Sequence, residues 1–143
     1  MQSAIQTVPL SKTMTWAGRI GSTLAVLFLL FDSVLHVVKP VPVVEAFGQL
    51  GYPVSLAVGI GLVELCGVVL YAIPRTSILG AVLLTGYLGG ATASQVRIGH
   101  ALFGQALFPV YVGVLVWGGL FLRDGRLRAI FPLRTHKESH EEN

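Results

Sequence analysis

The sequence predicts an all-α membrane protein: a four-helix bundle with a short amphipathic interfacial helix between the first and second spans. Three observations carry that expectation. Hydrophobic residues make up 53% of the 143-residue chain and charged residues only 12%, against about 25% charged in a soluble domain. The apolar residues fall into four runs, about residues 16–38, 54–73, 77–96 and 106–122. Each approaches the roughly 17 to 25 residues that cross a bilayer at about 1.5 Å per residue.

The first run, Trp16 to Val38, follows Lys12 and Arg19. It is too long for the apolar core of a signal peptide, and no small-residue cleavage site follows, so it reads as a retained span. The connection after it, "VVEAFGQLGYP", places Val43, Phe47 and Leu50 on one helical face. Pro42 suits a first helical position and Gly51 the residue past the end. A helix of that pattern lies in the outer interface and lids the bundle. The second and third runs meet at Pro74-Arg75-Thr76. The fourth has Pro109 near its start, where proline is tolerated, with "GHALFGQALF" as a partly inserted approach.

The predicted organisation is an N-terminal segment 1–15, a four-span domain 16–128 and a basic then acidic tail 129–143 that ends in a disordered "KESHEEN". Four spans put both termini on one side. That side holds Lys12, Arg19, Arg75, Arg123, Arg126, Arg128, Arg134 and Lys137, eight of the ten Lys and Arg, against Lys39 and Arg97 on the other. The positive-inside rule then places both termini in the cytoplasm. The pI near 9.4 thus reflects topology and contact with anionic lipid headgroups, not nucleic-acid binding. Cys66 is the lone cysteine, which excludes a dithiol pair.

Helices in lipid associate through small residues. Gly86, Gly90 and Ser94 recur at steps of four in the third run, flanked by Gly89 and Ala93, and predict tight helix packing there. Gly18 with Ser22 and Ala57 with Gly61 extend the pattern, and Gly80 and Gly113 fall near the ends of similar faces.

The chemistry-bearing residues are those that cost most to bury. Asp32 lies two-thirds across the first run and Glu64 at the centre of the second. A charge at mid-bilayer costs about 2.5 kcal/mol or more, so both face inward and need a partner or a proton. His36 is one turn from Asp32 on the same face. Alternating span directions bring Asp32, His36, Gln95, Arg97, His100 and Gln105 to the outer half, with Glu64 below them. These seven residues are the pocket candidates. An Asp32–Arg97 ion pair is the expected internal tie. Asp32, His36 and His100 carry metal-ligating groups and the two histidines could ligate haem, but no HExxH or CxxCH spacing supports either, and neither metal nor intrinsic cofactor is expected. No GxSxG, P-loop or GxGxxG motif is present, and "GYLGGA" reads as packing glycines.

Several stretches resemble the DoxX-like family of small bacterial four-helix membrane proteins. They are Gly51-Tyr52-Pro53, Glu64 followed by Gly67, Pro74-Arg75-Thr76, Tyr87 to Ala91 and Arg123-Asp124, within about residues 20 to 128. The resemblance implies a multi-pass bundle of the bacterial inner membrane that serves quinone-linked redox chemistry, since the family takes its name from a subunit of a thiosulfate:quinone oxidoreductase. Where relatives carry a small residue and a lysine at the end of the first span, this chain has Asp32 and His36. A more distant likeness is to the sterol-isomerase type of four-helix fold. Three functions fit these readings. One is a subunit or partner of a membrane oxidoreductase, with a bound quinone and a redox partner subunit. Another is a proton-coupled carrier, for which four spans would need a homo-oligomer, or a lipid-modifying isomerase. The last is a structural scaffold.

Overall fold

The computed structural model describes residues 11–130, and all regular structure among them is helical. The long α1 spans Lys12–Val38, α2 Val41–Leu50, α3 Leu56–Ala72, α4 Ser77–Arg97, α5 Phe108–Arg123 and the short α6 Gly125–Ile130. A π-helical turn, Leu102–Ala106, precedes α5. Three helical stretches are long and apolar enough to cross a membrane, Lys12–Val38, Ser77–Arg97 and Leu102–Arg123. At 17 residues α3 is apolar but shorter, roughly 26 Å of rise. The N-terminal residues 1–10 and most of the expected tail, 131–143, lie outside the described residues.

Local chemistry explains the boundaries. The helix α1 starts at Lys12, four residues before the apolar run, because Ser11 caps it: its Oγ accepts from the Met14 N–H at 3.2 Å. It ends at Lys39, which adopts a left-handed φ of 55° and donates its N–H to the Leu35 carbonyl. Pro40 then starts the turn into α2, since proline cannot continue the helix. The helix α2 forms over the stretch expected, with Pro42 in its first turn and Gly51 at φ 70° past its end. The helix α5 begins at Phe108, with Pro109 in its first turn. In the α3–α4 turn, Thr76 Oγ1 donates to the Leu70 carbonyl at 2.8 Å.

The long helices pack as a ring in the order α1, α3, α4, α5, with α5 closing back on α1. Their inward and outward faces invert the soluble pattern. On α1 the buried residues are Gly18, Ser22, Ala25, Leu29 and Ser33, mostly small. Trp16, Ile20, Leu24, Leu27, Phe31, Val34 and Val38 are exposed. Large apolar side chains outside and small ones at contacts are what a lipid surround selects, because lipid does not penalise exposed Leu or Ile.

The predicted packing glycines divide: Gly18, Gly61 and Gly80 meet a neighbouring backbone, whereas the α4 stripe does not. A Cβ added to Gly86, Gly89 or Gly90 would meet nothing within 4 Å. The intimate contacts are elsewhere. A Cβ on Gly18 would lie 2.8 Å from the Gly119 carbonyl oxygen, and one on Gly119 2.7 Å from Ser22 N, so α1 and α5 touch backbone to backbone. A Cβ on Gly61 would lie 2.9 Å from the Ser33 carbonyl oxygen of α1. Step-of-four glycines identify a smooth face; they do not say whether a helix or a void lies against it.

A buried knot holds one end of the ring. The Tyr71 hydroxyl donates to the Val116 carbonyl at 2.7 Å and pairs with Ser22 Oγ at 2.9 Å, joining α3, α5 and α1. Arg123 lies 5.1 Å over the Tyr71 ring and donates to the Tyr71 carbonyl at 3.2 Å. Just beyond, Asp124 caps α6: its Oδ1 accepts from the Arg126 N–H at 2.9 Å, and its Oδ2 pairs with the Arg126 guanidinium at 2.8 Å.

The Arg126 side chain holds the Asp124 carboxyl below its ordinary value of 3.8, outweighing the opposing effect of partial burial. A depressed folded-state value means stability that is present above the unfolded value and lost as pH falls through the folded one. Asp124→Asn keeps the cap but removes the charge. Its unfolding temperature is expected to fall below wild type at neutral pH and converge with it below about pH 4. A gap that persists at low pH would contradict this assignment.

Candidate functional site

A cavity of about 550 Å³ opens at the other end of the ring, between α1, α2, α4 and α5. Its walls are mainly apolar: Phe28 and Leu29 of α1, Val43, Ala46, Phe47 and Leu50 of α2, Leu88 and Ala91 of α4, Phe108 and Val112 of α5. Gly86 and Gly90 line it too. The small-residue face of α4 therefore makes room for a void where contact was expected. Tyr87, Gly90, Ala91 and Ser94 share that face at helical spacing.

The helix α2 covers this cavity with the face predicted for it. Phe47 is buried and meets the His36 ring edge-to-face at 5.8 Å between centroids. Its C-terminal end is fastened to α4: the Tyr52 hydroxyl pairs with Ser94 Oγ at 2.9 Å, and Arg97 donates to the Leu50 carbonyl. Arg97 also lies 5.5 Å over the Tyr52 ring.

The polar end of the cavity is built from two helices and a tyrosine. Asp32 and His36 of α1 line it, and Tyr87 of α4 donates its hydroxyl to Asp32 Oδ2 at 3.2 Å. Behind them Glu64 of α3 is fully buried, with neither carboxylate oxygen hydrogen-bonded. His36 Nδ1 stands 3.6 Å from Asp32 Oδ2 and 3.6 Å from Glu64 Oε2. It also lies 2.9 Å from the Asp32 backbone carbonyl. Glu64 comes this close because Gly61, one turn before it, lets α3 approach the Ser33–His36 turn of α1.

The seven predicted site residues divide. Asp32, His36 and Gln95 line the cavity, and Glu64 packs beneath it. Arg97, His100 and Gln105 are not among its lining residues. Arg97 does not pair with Asp32. Among the described residues the ion pairs are His36–Asp32, His36–Glu64 and Arg126–Asp124. The physical reason is position: Arg97 is the last residue of α4 and reaches over the end of α2 instead. His100 lies past the end of α4, and its Nδ1 pairs with the Gln95 side-chain carbonyl. Gln105 is exposed on the π-helical turn.

Sequence reasoning missed Tyr87 as a site residue. Its signal was available: it sits seven residues before Ser94, on the same face. Pocket residues Tyr52 and Phe47 likewise follow only once α2 is folded over the bundle.

Comparison with known proteins agrees with the family resemblance, over a span that takes in every stretch that carried it except Arg123-Asp124. No curated protein and no solved structure matches the chain. The model of the DoxX-like family matches residues 20–119, which takes in Asp32, His36, Glu64 and Tyr87 together with the helices that present them. With its apolar membrane-length helices and outward-facing large side chains, this chain is a membrane protein that belongs to the DoxX-like family.

Proposed function

We propose that this protein is a four-span inner-membrane protein that binds a quinone in the α1–α2–α4–α5 cavity, as a subunit or partner of a membrane oxidoreductase. The carrying observation is the cavity's polarity. Mainly apolar walls lead to a polar group of Asp32, His36 and Tyr87; the other polar lining residues are Tyr52 and Ser94, which pair with each other, and Gln95, which pairs with His100. A quinone has the matching asymmetry, an apolar tail and a ring with two carbonyl oxygens. Pockets of this volume with few convergent polar groups are the usual form of small-molecule sites. In this reading His36 donates to a ring oxygen, and when the quinol is oxidised Asp32 accepts one of its two protons, the second leaves to water at the cavity mouth, and the two electrons pass to a partner subunit.

The 17-residue apolar α3 counts as the fourth crossing, and α2 lies in the outer interface as the cavity's cover. The excess of Lys and Arg on the side of the termini supports a cytoplasmic placement for both. The lipid-modifying isomerase reading draws on the same cavity and acids; a scaffold role loses the Asp32–Arg97 tie that motivated it.

The test is binding of a short-chain benzoquinone to the detergent-purified protein. Asp32→Asn and Tyr87→Phe are expected to weaken it by about tenfold each, about 1.4 kcal/mol. Unchanged affinity in both variants, or no binding by wild type, would sink the quinone reading.

A further inference from the structure

We propose that Asp32, His36 and Glu64 form a binding site for one divalent first-row transition-metal ion at the polar end of the cavity. One ligand atom from each residue lies within 4.8 Å of the other two. The separations of His36 Nδ1 from Asp32 Oδ2 and Glu64 Oε2, both 3.6 Å, are too long for hydrogen bonds, which run about 2.7 to 3.2 Å. They match the edge of a coordination polyhedron: tetrahedral ligands about 2.1 Å from an ion stand roughly 3.4 Å apart.

The second observation is independent of that spacing. Glu64 is fully buried, and neither of its oxygens has a hydrogen-bond partner. A buried carboxylate without a hydrogen bond is among the costliest groups a protein can hold, and the only ion-pair partner of Glu64 among the described residues is His36, 3.6 Å away and shared with Asp32. Another acid, Asp32, is close by, which raises the cost further. A divalent cation between them removes both problems, since two carboxylates and a neutral imidazole make an uncharged site with a +2 ion.

The donor set narrows the ion. One imidazole nitrogen, carboxylate oxygens and no sulfur suit Zn²⁺, Mn²⁺ or Fe²⁺ and disfavour Cu⁺. Without an ion, the ring donates Nδ1–H to the Asp32 carbonyl at 2.9 Å. Binding at Nδ1 moves the ring proton to Nε2 and gives up that bond. The Tyr87 hydroxyl on Asp32 Oδ2 orients the carboxylate from outside, as a supporting partner does in metal sites. The Asp32 side chain is 35% exposed, so the ion would face the cavity and keep a position open there. No spacing motif announces this site, because its third ligand comes from a different helix. The inference stands apart from the quinone reading and does not need it.

The experiment is Mn²⁺ and Zn²⁺ titration of chelator-stripped, detergent-purified full-length protein, followed by electron paramagnetic resonance and calorimetry. His136 and His140 in the tail are replaced by alanine in a control variant, since a histidine tail can hold metal adventitiously. The expected result is one ion per chain in both wild type and control. Glu64→Gln and His36→Gln are each expected to weaken binding by at least about tenfold, with circular dichroism unchanged. Should Glu64→Gln fail to fold, His36→Gln, at a partly exposed position, carries the test. No saturable binding, binding lost with the tail histidines, or binding indifferent to the ligand variants would overturn the site. Quinone binding without metal binding overturns this inference alone; metal without quinone overturns only the proposed function.

Discussion

Gly80→Ala is expected to destabilise the protein by about 3 kcal/mol or more, the upper range for overpacking, whereas Gly86→Ala on the same helix is expected to be tolerated. The Cβ built at Gly80 falls on backbone atoms of Tyr71 and Leu70 across the α3–α4 turn. Backbone cannot rotate aside as a side chain can, so the helices must separate. Tyr71 then carries the displacement outward, because it bonds Ser22 of α1 and Val116 of α5 and stacks under Arg123. At Gly86 a methyl meets open space, and helix propensity favours alanine by up to about 1 kcal/mol. The two substitutions are therefore opposite in sign. Thermal unfolding in detergent, read by tryptophan fluorescence, would show it; equal effects at both positions would refute the packing described for this turn.

Glu64→Met is expected to raise the stability of the ligand-free protein, by about 1 to 4 kcal/mol on the scale seen when buried ionic groups give way to apolar ones of similar size. The side chain is fully enclosed and neither oxygen is hydrogen-bonded, so an apolar replacement loses no hydrogen bond and removes a desolvation cost; it gives up the 3.6 Å approach to His36, which keeps Asp32 as its partner. The same change removes a metal ligand and should abolish ion binding. A gain in stability coupled to a loss of binding is the signature of a group retained for function. If Glu64→Met instead unfolds the protein, Glu64 is a structural acid, and the scaffold reading regains weight.

The helical class, the membrane setting and most helix limits were legible in the chain, because each depends on local pattern. Apolar run length indicates a helix that can enter lipid, and Pro42 and Gly51 mark ends through their own backbone chemistry, whereas the Ser11 cap, which starts α1 before the apolar run, was not read. The cost of burying Asp32 and Glu64 in apolar surroundings marked both as inward-facing without any knowledge of neighbours. His36 followed from i, i+4 spacing on one helix.

What the chain could not declare by itself was which helix face meets which. The glycine face of α4 carries the same spacing whether it packs or lines a cavity, and only the positions of α1, α2 and α5 made it a cavity wall. Arg97 and Asp32 share a predicted depth, yet depth leaves open the angle around the bundle, and Arg97 turns to the end of α2. Glu64 and His36 are 28 positions apart in sequence numbering, and they meet because Gly61 lets two backbones approach. Local pattern determines what each segment is and what it must hide. The tertiary structure alone decided where the hidden groups converge, since that rests on contacts between residues no spacing rule connects.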